Sequence, residues 1–388
     1  MGQVPLKIVY HHRTRGEDAQ GIHVHELCQA FEELGHQVLK VAPLARRSST
    51  RSSGSLQGNS LFGLGVPHAL YELMAMAYNL VAFIVLSGAI LRFRPHFIYE
   101  RYSLFCVSGL LMARLLRKPF ILEVNAPLSM ELDQHGGLVF RRLAQGVENW
   151  LIQNADKTIV VTSAMAQIFV DRGIPREKLL VMPNGVNRDM FHAGVDGTLV
   201  RDRYGFQAST VIGFVGWIRP WHGVDGLLAA APRLCARFPE ARFLIVGEGP
   251  ALLELKEQVA RQGLEDKIIF TGSVPREGIP AHIAAMDIAV QPDVTSYASP
   301  IKLFEYLAIG RAVVAPEKPN ITEVVDSRVA ALFPERDWPA MEEALAALLV
   351  DQDRRREMGR CAAERVIQQG YHWQANAARV VDLVERAH

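Results

Sequence analysis

A chain of 388 residues, 49% hydrophobic and 21% charged, is globular and long enough for two domains, which excludes a disordered or low-complexity polypeptide. Its formal net charge is +1, with no basic stripe interleaved with aromatics and no zinc-finger spacing, so nucleic acid is not expected as a partner. The cysteines Cys28, Cys106, Cys235 and Cys361 form no CxxC pair and fit buried free thiols in a reducing, cytoplasmic compartment.

In chain order, Lys7 to Tyr10 reads as a first strand rather than a targeting segment. A polar stretch from His11 to Gln20 leads to Gly21, a helix over His23 to Leu34 and a second strand over Gln37 to Ala42. Strand, glycine loop, helix, strand is a βαβ unit and predicts a parallel sheet. Gly21 either admits close approach of a ligand or makes a plain tight connection. His23 and His25 diverge on a helix, as His11 and His12 do on a strand, and there is no HExxH, so no metal site is expected.

Leu73 to Leu91 carries no charge and meets the length of a membrane span. Phe97-Ile98-Tyr99 just beyond it reads as a strand of the same sheet as the first, and a span would put the two on opposite sides. A buried helix is therefore the first expectation, a membrane-surface helix the second and a true span the last. Arg46, Arg47 and Arg51 upstream are placed for anionic lipid or form a solvated loop.

Glu100 and Arg101 fall at the C-terminal end of a predicted parallel strand, where α/β sheets place ligands, and either face an acceptor or form a surface ion pair. A helix over Leu104 to Leu116 and a strand over Pro119 to Val124 end in Asn125, which can orient a hydroxyl or sugar but cannot act as a base. His135 is the nearest downstream imidazole. A helix over Arg142 to Asn154, a strand ending at Ser163, a helix over Ala164 to Asp171 and a strand over Lys178 to Met182 lead to the turn Pro183-Asn184-Gly185. The polar segment Gly194 to Arg203 reads as a linker.

The second half opens with a strand over Val211 to Val215 and the loop Gly216-Trp217-Ile218-Arg219-Pro220-Trp221-His222-Gly223. Arg219 either grips phosphate with its fork or stacks on Trp217 or Trp221. His222 adds a cation only when protonated and is otherwise a neutral donor. A helix over Gly226 to Phe238 and a strand over Arg242 to Val246 precede Gly247-Glu248-Gly249-Pro250, a weak nucleotide sign in which Pro250 serves as the first residue of the next helix. A strand over Lys267 to Phe270, the turn Thr271-Gly272-Ser273-Val274 and a strand over Ala284 to Val290 follow. Then comes Ser299-Pro300-Ile301-Lys302-Leu303-Phe304-Glu305. A helix start with Lys302 beside it is a seat for phosphate, and Glu305 one turn on can accept hydrogen bonds from ribose hydroxyls. A solvent-exposed Lys/Glu pair on an amphipathic helix is the plain alternative. A strand over Ala312 to Ala315 and helices over Met341 to Val350, Arg354 to Gln368 and Gln374 to Ala387 complete the chain.

The run SPIKLFEYLAIGRAVVAP resembles the donor-nucleotide motif of family 4 glycosyltransferases, which have the GT-B fold. VTSAMAQIFVDRGIPREKLLVMPNGVNRDMF resembles the stretch that ends that family's first domain, and GIHVHELCQAFEELGHQV its first loop and helix. The resemblance implies an α/β architecture of two Rossmann-like parallel-sheet domains facing an inter-domain cleft. Residues 1–194 form the acceptor side, residues 195–370 the nucleotide-sugar side, and a helix over 371–388 crosses back to the first domain. It implies a retaining glycosyltransferase that uses a nucleotide-diphosphate sugar, with UDP or GDP expected, and needs no metal or other cofactor. The acceptor is a glycan, a lipid-linked sugar or a small molecule, as in polysaccharide or glycolipid biosynthesis. A cytoplasmic protein is expected, with peripheral contact at the inner face of the membrane through residues 73–91 left open.

On the same resemblance Arg219, Lys302 and Asn125 carry catalysis. The donor contacts are Gly21, Gly216, Arg219, His222, Gly272, Ser273, Val274, Ser299, Pro300, Ile301, Lys302, Leu303 and Glu305, with Arg13 and Arg15 as further cleft residues and Glu323 as the carboxylate of a closing loop. Five positions depart from the family pattern: Ala298 replaces a glutamate, Asn125 a histidine, Asn187 an aspartate, and Trp217 and His222 an arginine and a lysine. A degenerate transferase that binds a nucleotide sugar or scaffolds a complex is the alternative that Ala298, Trp217 and His222 raise.

Overall fold

The computed structural model describes residues 4–14, 19–42, 60–61, 64–65, 67–134 and 136–386. Arg15, Arg46, Arg47, Arg51 and His135 lie outside the described residues. The chain divides into two compact units, Met1–Pro183 with Trp373–His388, and Asn184–His372.

The first unit begins β1 (Lys7–His11), α1 (Ala19–Glu33), β2 (Gln37–Val41), a short ribbon of β3 (Ser60–Leu61) and β4 (Leu64–Gly65), and α2 (His68–Phe93). It continues β5 (Phe97–Arg101), α3 (Ser108–Leu115), β6 (Phe120–Val124), α4 (Leu128–Gln134), α5 (Arg141–Asn154), β7 (Lys157–Val160), α6 (Ser163–Asp171) and β8 (Leu179–Val181). Its sheet has six strands in the order β2-β1-β5-β6-β7-β8, every pair parallel. A parallel sheet covered on both faces needs unbroken apolar runs, and Phe120 to Val124 is buried at every position, Glu123 included. The edge strand β2 is the exposed one, with polar Gln37 and Lys40.

The second unit runs α7 (Thr198–Tyr204), β9 (Thr210–Val215), α8 (Val224–Arg237), β10 (Ala241–Val246), α9 (Leu252–Arg261), β11 (Ile268–Gly272), α10 (Ile279–Ala284) and β12 (Ile288–Val290). It ends α11 (Ile301–Ala308), β13 (Ala312–Pro316), α12 (Pro319–Thr322), β14 (Ala330–Phe333), α13 (Trp338–Val350) and α14 (Gln352–Gln369). The strand order is β11-β10-β9-β12-β13-β14, again all parallel. Asp337 and Asp351 cap α13 and α14 by accepting from the backbone N–H of Ala340 and Arg354. The last helix, α15 (Trp373–Glu385), belongs to the first unit, where it packs on α1 and buries Trp373 edge-on to His23.

Several sequence expectations change. The segment from Gly194 to Arg203 is not a free linker. Val200 and Phe206 sit in the core of the second unit, and Gly197 presses against the backbone of Ala284 and Ala285 so closely that a Cβ would lie 2.3 Å from Ala285 N. That attachment puts the division at Pro183/Asn184, ahead of Gly194. Helix α1 starts at Ala19, which places Gly21 inside its first turn rather than before it. Ala284 closes α10 and is not a strand residue, and Pro250 stands before α9 rather than in it.

The largest change concerns residues 73–91. Helix α2 is not a buried helix: only Glu72, Ala75, Tyr78, Ala82, Leu86 and Ile90 are covered, while Leu80 is 73% and Ile84 71% exposed. The buried face follows from polar anchors that hydropathy does not register. Glu72 accepts from the backbone N–H of Val139 and Phe140, and Asn79 accepts from those of Val107 and Ser108 while donating to Phe105 O.

Two glycines on helices predict opposite outcomes. A Cβ on Gly359 of α14 would lie 2.1 Å from Gly310 O, just beyond α11, whereas one on Gly146 of α5 meets nothing within 4 Å. Gly359→Ala is expected to destabilise the second unit by about 1–3 kcal/mol through forced separation of the two backbones. Gly146→Ala is expected to be neutral or stabilising by up to about 1 kcal/mol. Thermal and urea unfolding of the two variants against the parent chain checks both signs.

Candidate functional site

The second unit gathers chemistry-bearing residues where β9 ends and α11 begins. Helix α11 is buried from Leu303 to Ala308 inclusive, Glu305 among them, so the plain alternative of an amphipathic helix with a solvent-exposed Lys/Glu pair is not what forms. Its position is set by a bond that no local pattern announces: the buried Tyr306 hydroxyl accepts the backbone N–H of Val215 at 2.8 Å, tying α11 to the last residue of β9. Pro300 stands just outside the helix in an extended conformation, and its carbonyl takes the N–H of Leu303 at 3.0 Å. The Leu303 side chain is wholly buried, so it presents nothing to a ligand.

Lys302 leans along the end of β9. Its Nζ lies 4.0 Å from the centre of the Phe214 ring, and a Cβ on Gly216 would be 2.6 Å from that nitrogen. Gly216 has φ +139°, a conformation suited to glycine, so backbone freedom and room for the ammonium coincide at one residue. No carboxylate among the described residues pairs with Lys302. Burial pulls its pKa down from 10.5 to about 7, against the upward pull of Glu305. Glu305 is itself buried and paired at 2.5 Å with Arg276, whose guanidinium also covers the Phe191 ring at 4.6 Å. Arg276 was not legible in the sequence, since it reaches Glu305 from the turn after β11.

Arg219 is partly buried with its guanidinium 5.1 Å from the Trp221 ring centre, so the stacking partner is Trp221 and not Trp217. Burial first, and the charge of Lys302 second, push His222 down from 6.5 to about 3, with Arg219 acting in the same sense. His222 is therefore neutral at physiological pH, and it supplies a neutral ring rather than a cation. Its loop is seated on Asp293, whose N–H donates to His222 O at 3.1 Å. Asp293 is buried with Lys318 at 2.5 Å and Arg336 at 3.1 Å.

The flanking turns interlock. Gly247 N–H donates to Gly272 O at 3.0 Å, and a Cβ on Gly247 would lie 2.1 Å from Gly216 O. Ser273 is exposed, and its N–H donates to the Glu248 carboxylate at 3.3 Å; Val274 packs beside Gly278. Ser299 Oγ accepts the N–H of Asn184 at 3.1 Å, and its carbonyl takes the Asn184 side-chain amide at 2.7 Å. That pair anchors the Pro183-Asn184-Gly185 turn. Asn320 holds the carbonyls of Thr295 and Ala298, the latter at 2.7 Å, and steadies the loop into α11, while Glu323 is half-buried just past α12.

In the first unit a buried polar cluster forms at the strand ends. Glu123 accepts from Arg101 Nη1 at 2.7 Å and Tyr10 Oη at 3.1 Å, lies 2.9 Å from His23 Nε2, and accepts the side-chain amide of Asn125. Burial alone would raise its pKa, but His23 and Arg101 hold it well below the usual carboxylate range. An ionised carboxylate can only accept, so one N–H of the Asn125 amide is given to it, which fixes the amide's orientation and leaves Oδ1 and the second N–H for other partners. Glu100 is no surface ion-pair residue: it is buried 2.5 Å from His11 Nδ1, in space that Gly109 leaves by lacking a Cβ. The ligand atoms of His11, Glu100 and Cys106 lie within 4.8 Å of one another, but burial pushes the Cys106 thiol up to about 12 and the His11–Glu100 hydrogen bond accounts for the rest. Arg13 covers the Tyr78 ring at 3.9 Å, and Gly21 is buried in α1.

Two family models match the chain: "Glycosyltransferase Family 4" over residues 20–190 and "Glycosyl transferases group 1" over residues 209–351. The chain belongs to the family 4 glycosyltransferases, enzymes of the hexosyl- and glycosyl-transferring class with two Rossmann-like domains in the GT-B fold. It is 26% identical over 265 residues to an alpha-D-kanosaminyltransferase of Streptomyces kanamyceticus, covering 65% of this chain and 67% of that one. It is 29% identical over 239 residues to a GDP-mannose-dependent alpha-(1-6)-phosphatidylinositol monomannoside mannosyltransferase of Mycolicibacterium smegmatis, covering 60% of this chain and 62% of that one. The matched stretches thus span about two thirds of those relatives. In fold it is similar to the Anabaena protein HepE in complex with UDP, with TM-score 0.73 and 18% identity over 98% of this chain and 100% of that one.

The lowered pKa of Lys302 has a definite pH signature. The unfolded chain keeps a lysine protonated to about pH 10.4, whereas folded Lys302 releases its proton near 7. Between those limits the unfolded state binds the extra proton, so the Lys302 contribution to stability rises with pH across that window. An anion at Lys302 would act the other way, because it favours the ammonium. Titration calorimetry of UDP at pH 8, in buffers of different ionisation heat, is expected to show proton uptake on binding. In Lys302→Met the uptake should vanish and affinity should fall roughly 10- to 100-fold.

Proposed function

We propose that this transferase moves a sugar from a nucleoside-diphosphate donor to an acceptor hydroxyl with retention of anomeric configuration. The observation that carries the reading is Lys302 at the start of α11, a half-buried lysine with no carboxylate partner among the described residues, admitted by Gly216. A lysine held in poorly hydrated surroundings without a counter-charge is favoured in its protonated form by an incoming anion, and a diphosphate is the anion we assign to it. The diphosphate gains negative charge as it leaves, and fixed positive groups stabilise that charge without reorganising. Lys302 and Arg219 fill this role, with neutral His222 as a hydrogen-bond donor. Because these side chains supply the positive charge, turnover is proposed to need no divalent metal.

In the proposed step the bond between the anomeric carbon and the departing phosphate oxygen breaks while the acceptor oxygen bonds that carbon on the same face. The acceptor proton passes to the departing phosphate oxygen, so no strong protein base is needed, consistent with an asparagine at position 125. Asn125 Oδ1, oriented by Glu123, is our choice for orienting a hydroxyl in the first unit. Glu305 is assigned to the ribose, with Arg276 as its partner when no nucleotide is bound. The relative named as GDP-mannose-dependent and the HepE complex with UDP both support a nucleoside-diphosphate donor, with UDP or GDP as the base. Glycan, glycolipid or glycosylated-metabolite biosynthesis in the cytoplasm is the setting we infer, a compartment that suits the free thiols Cys28, Cys106, Cys235 and Cys361.

A thermal-shift panel of UDP, GDP, ADP and TDP, with and without magnesium, tests the donor assignment. One nucleotide is expected to stabilise the parent chain equally in both conditions and to leave Glu305→Ala unshifted from its own nucleotide-free midpoint. Proton NMR of the product formed with the matching sugar donor should show the donor's anomeric configuration. Inverted product, or turnover only with magnesium, would contradict the mechanism.

A further inference from the structure

Helix α2 presents an outward face that nothing in its own unit covers. Its 26 residues span about 39 Å. Leu73, Leu80, Ile84 and Leu91 recur at helical spacing on the side opposite the buried stripe, and Leu91 is 66% exposed. Leu115 is likewise 67% exposed, on α3, which runs alongside α2: Asn79 meets the Val107–Ser108 backbone, and Ser87 reaches Met112 farther along. The shared direction brings the C-terminal ends of both helices to one side. There Arg92, Arg94 and Arg117 are exposed, and none has a carboxylate partner among the described residues. The single acidic residue of α2, Glu72, is buried in backbone hydrogen bonds.

Length and hydropathy alone would let α2 cross a bilayer, but the fold forbids it. The strands before and after α2, β1 and β5, are hydrogen-bonded neighbours, with Ile8 opposite Phe97, so both must lie on one side of any membrane. Leaving the unit would also strand the buried partners of Glu72 and Asn79 without hydrogen bonds.

We propose that the outer face of α2, with the end of α3, is a docking surface for an anionic phospholipid bilayer. The apolar stripe enters the boundary between headgroups and acyl chains, while Arg92, Arg94 and Arg117 meet lipid phosphate at one end. The arginines select this occupant, since an uncharged apolar partner would leave three cations without counter-charge. The inference concerns where the enzyme works and does not depend on which sugar it moves.

Co-sedimentation with phosphatidylcholine vesicles, with or without phosphatidylglycerol, provides the test. The parent chain is expected to pellet with the anionic vesicles, and less so as salt rises. Leu80→Gln combined with Ile84→Gln should weaken partitioning at least about tenfold while leaving the melting temperature unchanged, both positions being exposed. Arg92→Gln combined with Arg94→Gln and Arg117→Gln should abolish the preference for phosphatidylglycerol. The proposal is overturned if the parent chain stays in the supernatant, or if the Leu80/Ile84 variant pellets equally. It is also overturned if sedimentation velocity shows a dimer that the same variant dissociates, since the face would then be covered by a second copy.

Discussion

A lysine kept half out of water without a carboxylate beside it releases its proton near 7, and much of the second unit is arranged to keep it so. The nearest candidate to neutralise Lys302 is Glu305, one turn along the same helix, and Arg276 occupies that carboxylate instead. Gly216 must lack a side chain, and the end of β9 must hold still, which the Tyr306 hydroxyl ensures by taking the Val215 N–H. His222 is kept neutral chiefly by burial, with the charge of Lys302 acting in the same sense. Charge is thus concentrated where a diphosphate would satisfy it, and each neighbouring group is either neutral or otherwise engaged.

The first unit handles buried charge in the opposite way. Glu72, Glu100, Glu123 and Glu148 are all fully buried, and each is met by donors: backbone amides, His11, Arg101 with Tyr10 and Asn125, and Arg172 with Ser129. Removing a partner from such a carboxylate costs more than the bond itself, because an ionised group is left desolvated. These carboxylates are poor places to look for a solvent-accessible acid or base, and they suit positioning instead. Asn125, turned by Glu123, is the clearest instance.

Much of the parallel architecture was legible because buried strands such as Phe120 to Val124 and Val211 to Val215 read as apolar runs between helical periodicities. The Lys302 helix was legible because its motif is local. What escaped was long-range or conformational. Arg276 meets Glu305 across twenty-nine positions, and Asp293 meets Lys318 across twenty-five, distances at which no window of sequence carries a signal. The segment from Gly194 to Arg203 looked like a linker because polarity dominated its composition, yet Gly197 and Val200 are packed. Helix α2 departs from its first expectation for a different reason: hydropathy cannot distinguish a core from a surface that is itself apolar, and the polar residues Glu72 and Asn79 fix the face that packs inward.

The helix Trp373–Glu385 has a bearing on how the protein is made. Its partner α1 leaves the ribosome well before it, because α15 emerges only after the whole of Asn184–His372. Until then the α1 face that receives Trp373, including His23, stays uncovered. The unit whose sequence starts first is therefore the one that matures last, and the nascent chain must carry an incomplete first unit, with its exposed apolar α2, through the time taken to translate the second.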